Sequence, residues 1–320
     1  MSPLQIFLLC MLALVLIAVA YMVTKLILSY LNAKKAINVI MSNTNYCGDK
    51  RCGPPEDTKN PPLPSSVSTD NWEVDVARYC AALVYIIAEA AHDNIKPVYP
   101  TELALQGHFY NNKDDPIFAS VLTNDNFIWV VVRGTLTSRE WAQDYEYKQE
   151  DFLDSDSSVQ VKLGFLADAN GEKPSVHQGF LEAYTNFRED LLNTVEKIDP
   201  DKSKTIIVCG HSLGAAISSI IGADIVNKGH TSVVYNFASP RVGNQAFCDS
   251  VTKMGLRIFR VVNTADVVPT LPLSVSPNFK HTNQPYYYIH CGTMKSFADN
   301  RKSVLNNHLI GVYMKALKGM

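Results

Sequence analysis

Hydrophobic positions divide the chain into three parts. Residues 1–24 carry no charged side chain, and the apolar run "LQIFLLCMLALVLIAVAYMV" within them is long enough to cross a bilayer as one helix. The stretch that follows is rich in Pro, Asn, Ser and Asp and has no helical or strand period. We therefore predict an N-terminal transmembrane anchor over residues 1–31, a linker over 32–70 and a folded domain over 71–320.

A cleaved signal peptide is the alternative to this anchor. Ala18 and Ala20 have the small side chains and the spacing of a cleavage site, but the basic residues that begin most signal peptides are missing. If the segment is an anchor, Lys25, Lys34 and Lys35 follow it and nothing basic precedes it. The positive-inside rule then predicts that the rest of the chain stays in the cytosol.

Within the predicted domain, a helical pattern is followed by short strands. From Trp72 onward, Val76, Tyr79 and Leu83 recur at helical spacing. The runs "IFASVLT" and "FIWVVVRGT" are separated by "NDN", which predicts a pair of hairpin strands. Three further apolar runs follow, "KTIIVCG", "TSVVYNFASP" and "LRIFRVVNTAD", with a helical pattern of about fifteen residues between the first two. This alternation predicts an α/β fold with a mostly parallel sheet flanked by helices.

Composition and charge exclude two broad classes of protein. Because 47% of the residues are hydrophobic, the chain can bury a large core and is not disordered. The 29 Lys and Arg residues against 31 Asp and Glu residues leave no basic field for a phosphate backbone, so we expect no nucleic-acid partner.

The seven cysteines leave the cellular compartment open. They are scattered, and only Cys47 and Cys52 are close enough in sequence to suggest a local disulfide or metal clip. Two ligands do not make a zinc site. If residues 1–20 were removed, six cysteines would remain, and a disulfide framework in an oxidising compartment would become possible.

The stretch "VCGHSLGAA" carries the clearest candidate chemistry. Gly210 and Gly214 flank Ser212 in a G-x-S-x-G pattern, between a strand predicted over 204–209 and a helix predicted from about 213 to 228. Small residues at both positions allow a strained turn that exposes the serine hydroxyl. The start of the helix also favours negative charge nearby. The pattern therefore predicts a serine nucleophile.

A nucleophilic serine needs a base, and the base needs an acid that orients it. Asp266 directly follows a predicted strand, whereas Asp224 and Asp249 lie in or beside predicted helices and are expected to be solvated. His230 precedes Asp266 and does not fit the order serine, acid, histidine. The remaining candidates for the base are the three later histidines, His281, His290 and His308.

Six blocks, "VVVRGT", "VHQGF", "GHSLGAA", "FASPRVGN", "VVNTADVVPTLP" and "NHLIGVYMKAL", occur in this order between about Trp72 and Leu317. In these blocks the sequence resembles the class 3 (fungal-type) lipases, which implies the α/β-hydrolase fold. The resemblance implies Ser212 as nucleophile and Asp266 as acid, with His308 rather than His290 as base. It also implies an oxyanion hole that includes Thr135 and the N–H group of Leu213.

The same resemblance implies a mobile lid after "RGT". An amphipathic helical pattern there puts three bulky side chains near one face, those of Leu136, Trp141 and Tyr145. A surface helix that stays packed on the domain is the alternative. The block at 154–175 is longer than the family pattern suggests, which leaves substrate choice open.

Four other matched residues are expected to have structural roles. Arg133 and Asp144 are predicted to form an ion pair, and Arg241 to anchor the turn beside the acid. His177 is expected to pack and to form hydrogen bonds.

These observations predict a membrane-tethered serine hydrolase that cleaves carboxylic esters of lipids, acylglycerols or phospholipids, at a membrane or lipid-droplet surface. The chemistry proceeds through an acyl-enzyme and needs no metal or organic cofactor. One alternative is a catalytically silent lipid-binding or scaffold protein with the same fold, although no member of the predicted triad is missing. Another is a thioesterase or acyltransferase that uses the same triad.

Overall fold

A computed structural model describes residue 24 and residues 54–136, 149–151, 172–276 and 285–320. The chain divides into two units, Met1–Asn45 and Tyr46–Met320, and the elements named below belong to the second. The predicted transmembrane helix lies outside the described residues, apart from Thr24, and so do Cys47 and Cys52. Over the described ranges, no helix is both long enough and apolar enough to cross a membrane.

A seven-stranded sheet lies at the centre of this unit. In sheet order its strands are β1 (Ala104–Phe109), β2 (Ala119–Thr123), β3 (Phe127–Val132), β6 (Thr205–His211), β7 (Thr231–Phe237), β8 (Arg257–Asn263) and β11 (Thr293–Phe297). The first three are antiparallel, and from β3 onward all neighbours are parallel. Two small ladders are formed by β4 (Gln149–Asp151) with β5 (Ser175–His177), and by β9 (Val275–Ser276) with β10 (Tyr286–Tyr287). The predicted hairpin and the mostly parallel sheet are confirmed.

Helices pack on both faces of the sheet. They are α1 (Val74–His92), α2 (Gln178–Thr185), α3 (Arg188–Ile198), α4 (Leu213–Asn227), α5 (Gln245–Lys253), α6 (Val304–His308) and α7 (Ile310–Lys318), with short 3₁₀ turns at Glu56–Thr58 and Val268–Thr270. Alternate side chains of β6 enter two separate cores: Ile206 packs in the core that includes α4, and Ile207 in the core that includes α1. The central strands are continuous apolar runs because both of their faces are buried.

The parallel strands bring the predicted site residues to one edge of the sheet. Strand β6 ends at His211, directly before Ser212, and β8 ends at Asn263, three residues before Asp266. Because the carboxyl ends of parallel strands meet at the same edge, the serine and the aspartate are neighbours in space although they are far apart in sequence.

A disulfide joins Cys248 in α5 to Cys291, just before β11. The two residues are 43 positions apart, and the fold brings their Cα atoms to 5.0 Å. Sequence spacing had pointed only to Cys47 and Cys52, since it gives no sign of a pairing that depends on the tertiary fold. Cys80 and Cys209 are buried free thiols.

Asp224 was expected to be solvated, and this expectation was wrong. Its side chain in α4 is fully buried. Two guanidinium nitrogens of Arg188, Nε and Nη2, donate to its carboxylate oxygens over 2.6 and 3.1 Å, and the Tyr184 hydroxyl donates over 2.8 Å. These donors lie 36 and 40 residues away in sequence, so no local pattern reveals them. The cluster ties α2 and α3 to the helix that follows Ser212.

Arg188→Met is expected to lower the free energy of unfolding by about 3–5 kcal/mol, because it leaves the Asp224 charge buried without its cation. The measurement is chemical denaturation of the variant beside the wild-type chain. The double variant Arg188→Met/Asp224→Leu is the control, and it should recover much of the loss since no uncompensated charge remains. A loss below about 1 kcal/mol in the single variant would contradict this account of the pair.

Candidate active site

Ser212 sits in a sharp turn between β6 and α4. Its backbone has φ 57° and ψ −127°, a conformation that costs a residue with a side chain about 1–3 kcal/mol. The turn is held from the neighbouring strand, since the Ser212 N–H donates to the carbonyl oxygen of Phe237 over 3.0 Å. The fold thus stabilises a strained conformation that puts the hydroxyl beyond the end of the strand.

Both glycines of the G-x-S-x-G pattern are required by close backbone packing. A Cβ atom at Gly210 would lie 2.4 Å from the carbonyl oxygen of Gly214. A Cβ atom at Gly214 would lie 2.2 Å from the carbonyl oxygen of Arg133, at the end of β3. No side chain fits in either place, so the start of α4 packs directly against the ends of β6 and β3.

The structure brings Ser212, His308 and Asp266 into one hydrogen-bonded chain. Nε2 of His308 lies 2.8 Å from the serine Oγ, and Nδ1 lies 2.6 Å from Oδ2 of Asp266. All three residues are at most 3% exposed. A carboxylate can only accept, so Nδ1 carries the hydrogen and Nε2 directs its lone pair at the serine hydroxyl. This is the arrangement in which an imidazole removes a proton from a serine.

Two further donors hold the Asp266 carboxylate. The N–H of Val268 donates to Oδ1 over 2.9 Å, and the Tyr313 hydroxyl donates to Oδ2 over 2.7 Å. Tyr313 lies in α7, five residues after His308. The carboxylate is therefore fixed from the turn that carries it and from the helix that follows the histidine.

Two asparagines connect the loop of the acid to the loop of the histidine. Nδ2 of Asn263 donates to the carbonyl oxygens of Asp299 and Asn307 over 2.8 and 3.0 Å. Nδ2 of Asn307 donates to the carbonyl oxygen of Ala265 over 2.8 Å. Both asparagines are buried, and they link Asp266 and His308 through main-chain atoms next to each. Sequence reasoning missed them and Tyr313, although Asn307 directly precedes His308.

Of the two residues predicted for an oxyanion hole, Leu213 directly follows Ser212, and Thr135 follows a glycine that packs against Ser212. Leu213 is the first residue of α4, where main-chain N–H groups have no partner within the helix. Thr135 is 1% exposed and follows Gly134, where an added Cβ atom would lie 3.3 Å from Cβ of Ser212. Of the predicted lid residues, Leu136 is half-buried, whereas Trp141 and Tyr145 lie outside the described residues.

The structure does not bring His290 to the serine. Its Nε2 donates to the carbonyl oxygen of Pro269 over 2.7 Å. Burial, and after it the charges of Arg260 and Arg241, lower the pKa of His290 to about 4. His230 lies with Glu196 and Asp199, at 3.5 and 3.6 Å, beside the opposite end of the sheet. His281 lies outside the described residues.

The structure describes three of the four residues that were expected to have structural roles. Arg133 is buried, and its Nε and Nη1 donate to the carbonyl oxygens of Ile117 and Gly134 over 2.6 and 2.7 Å. Its predicted partner Asp144 lies outside the described residues. Arg241 donates to the carbonyl oxygens of Thr270 and Pro272, in the loop after Asp266, as expected. The ring of His177 is buried and stacks on Phe180, with centroids 4.1 Å apart.

Among the described residues, no three His, Cys, Asp or Glu side chains are grouped as metal ligands.

Comparison with known families gives a match over residues 129–276, to the family described as lipase (class 3). This range includes Ser212 and Asp266 and ends before His308. The secreted mono- and diacylglycerol lipase A of Penicillium cyclopium is 36% identical over 111 residues, which are 34% of this chain and 36% of that relative. Phospholipase A1-II 6 of Oryza sativa subsp. japonica is 32% identical over 175 residues, which are 45% of this chain and 40% of that relative. The chain thus covers well under half the length of these curated relatives.

Solved structures share the fold. A lipase from Rhizopus microsporus var. chinensis superposes with a TM-score of 0.52 at 23% identity, and covers 76% of this chain and 81% of its own. A triacylglycerol lipase, whose catalytic centre is described as a serine protease triad, superposes with a TM-score of 0.54 at 22% identity. That match covers 74% of this chain and 84% of the lipase.

Proposed function

Because residues 129–276 match the class 3 lipase family, we propose that the chain is a serine hydrolase that cleaves carboxylic ester bonds of lipids. The observation that carries the proposal is the buried hydrogen-bonded chain from Ser212 through His308 to Asp266, with distances of 2.8 and 2.6 Å. Ser212 is the nucleophile, His308 the base, and Asp266 the acid that fixes the histidine tautomer.

The reaction has two halves in this proposal. As the Ser212 Oγ attacks the ester carbonyl carbon, its proton passes to Nε2 of His308, and the N–H groups of Thr135 and Leu213 stabilise the oxyanion. The His308 imidazolium then gives the proton to the leaving alcohol, and the acyl group stays on Ser212. Water, deprotonated by His308, attacks the acyl-enzyme; the bond from the acyl carbon to Oγ of Ser212 breaks, the imidazolium returns the proton to Oγ, and the fatty acid leaves.

The substrates we propose are acylglycerols or phospholipids. This class rests on the family and on the names of the relatives, which include a mono- and diacylglycerol lipase and a phospholipase A1. The side chains that separate these substrates belong to the acyl and alcohol pockets. Most of the predicted lid and most of the block at 154–175, which leaves substrate choice open, lie outside the described residues. The proposal therefore stays at the level of lipid carboxylic esters.

The test is fatty-acid release by the full chain from phosphatidylcholine vesicles and from diacylglycerol and triacylglycerol emulsions. Release from at least one lipid is expected, and the three rates rank the substrates. Labelling by a fluorophosphonate, which reacts with activated serines, is measured in parallel. A folded chain that neither labels nor releases fatty acid contradicts the proposed hydrolase.

We also propose that the folded domain functions in an oxidising compartment. The Cys248–Cys291 disulfide supports this, because disulfides are rare in the reducing cytosol. The Penicillium cyclopium relative is named as a secreted enzyme. The lysines after the apolar run favour a cytosolic domain, but positive-inside bias is a weaker constraint than the redox state that a disulfide needs. Residues 1–31 then act as an anchor that leaves the domain outside the cytosol, or as a signal peptide, and N-terminal sequencing of the mature protein distinguishes the two.

A further inference from the structure

His211, the residue before the proposed nucleophile, makes a buried hydrogen bond to the main chain of the proposed base. Its Nε2 lies 2.7 Å from the carbonyl oxygen of His308. The two imidazole rings are 4.6 Å apart between centroids, and the residues are 4% and 1% exposed. The contact joins the end of β6 to the end of α6, which are 97 residues apart in sequence.

The position of His308 in the chain explains why its carbonyl needs a donor. His308 is the last residue of the five-residue helix α6, and α7 begins two residues later, at Ile310. Leu309 between them has an extended backbone, with φ −62° and ψ 135°. The last carbonyls of a helix have no partner within it, and a buried carbonyl without a donor costs about 1–3 kcal/mol. The His211 ring supplies a donor at this point.

The protonation state of His211 suits a neighbour that becomes charged. Because a carbonyl oxygen only accepts, Nε2 of His211 carries the hydrogen. Burial, and after it the positive charge that His308 carries when protonated, hold the pKa of His211 well below its usual range, so the ring is neutral. A second cation 4.6 Å away would oppose the positive charge that His308 gains when it takes the serine proton.

Gly134 gives the ring its space. A Cβ atom at this position would lie 3.1 Å from Nδ1 of His211 and 3.2 Å from its carbonyl oxygen, closer than most such contacts. The glycine directly precedes Thr135, so the ring lies between the main chain of the proposed base and the strand end that carries a proposed oxyanion donor.

We propose that His211 is a positioning residue, which fixes the main chain of His308 while Asp266 fixes its ring. The inference rests on the proposed function. With its main chain and its ring both held, His308 keeps Nε2 at 2.8 Å from Oγ of Ser212. Without the His211 bond, the main-chain contact from Asn263 lies one residue away, at the carbonyl of Asn307, and a displacement of about 1 Å from the productive geometry can cost about 10²-fold in rate.

The test compares two substitutions at 211 in the full chain. His211→Leu is expected to lower kcat for fatty-acid release by about 10–100-fold and to leave KM unchanged, since no substrate contact is removed. His211→Gln keeps an N–H donor of similar reach and is expected to restore most of the rate. His230→Leu is the matched control, because His230 is also 4% exposed but lies at the opposite end of the sheet, before β7. It should lower the thermal midpoint without lowering kcat.

Three results would overturn the inference: a folded His211→Leu variant with wild-type kcat, a Gln variant as slow as the Leu variant, or an equal loss of kcat in His230→Leu. The rate of fluorophosphonate labelling provides a second readout, because it depends on the base but not on the lipid. If the wild-type chain labels but releases no fatty acid, the proposed substrate class fails, and the labelling rates of the same variants still decide the role of His211.

Discussion

Ser212→Ala is expected to abolish fatty-acid release, with a loss in kcat of about 10⁶-fold. The variant removes the oxygen that attacks the ester, and neither His308 nor the oxyanion donors can replace it. The fold should be retained. Alanine at φ 57° has the same backbone strain as serine, and the substitution removes only the hydroxyl. The measurement is release from whichever lipid the wild-type chain hydrolyses fastest, together with fluorophosphonate labelling and the thermal midpoint.

Ser232→Ala is the matched control for this prediction. Ser232 is 3% exposed, like Ser212, and its Oγ donates to the carbonyl oxygen of Ile206 over 2.9 Å. It lies near the start of β7, away from the carboxyl edge of the sheet, so its loss should cost about 1 kcal/mol of stability and no activity. Residual release by Ser212→Ala above a few per cent of the wild-type rate would mean that another group is the nucleophile.

The nucleophile turn could be predicted from sequence because local residue types encode it. An apolar strand, two glycines around one serine and a helical pattern lie within about twenty-five consecutive residues. Both glycines prove to be required by contacts at 2.4 and 2.2 Å. The mostly parallel sheet could be predicted for a similar reason, since its central strands are continuous apolar runs separated by a helical pattern.

Most of the contacts that hold the triad could not be predicted, because they join residues far apart in the chain. The amide of Asn263 reaches the carbonyl of Asn307 across 44 residues, and the Tyr313 hydroxyl reaches Asp266 across 47. Composition and spacing do not show which polar side chain will find a buried partner. The same reason explains the error at Asp224. Its position in a helix suggested that the side chain is exposed to solvent, but its partners come from two earlier helices.

The residues alone left a choice of histidine open, since His281, His290 and His308 all follow Asp266. Residue order permits His290 and His308 equally, and the preference for His308 rested on the late block "NHLIGVYMKAL". The family match ends at residue 276, before either histidine. Geometry separates them: Nε2 of His308 lies 2.8 Å from the serine oxygen, whereas Nε2 of His290 donates to the carbonyl of Pro269.

His308→Ala is accordingly expected to lower kcat by about 10⁶-fold, as much as the loss of the nucleophile, because residues of a triad act as a unit. His290→Ala removes a single hydrogen bond to Pro269 and should keep kcat within about tenfold of wild type. The double variant Ser212→Ala/His308→Ala should be no slower than either single variant, which tests whether the two side chains serve the same step.

The pH dependence provides an independent check on the same assignment. A base must be neutral to accept the serine proton, so kcat/KM falls as the pH drops through its pKa. With its pKa lowered to about 4, His290 stays neutral throughout the range from pH 5 upward and cannot cause a fall there. His290→Ala should therefore leave the acid limb of the profile unchanged above pH 5. If His290→Ala instead abolished release while His308→Ala remained active, the proposed base would be wrong, and the chain from Ser212 through His308 to Asp266 would be a structural contact.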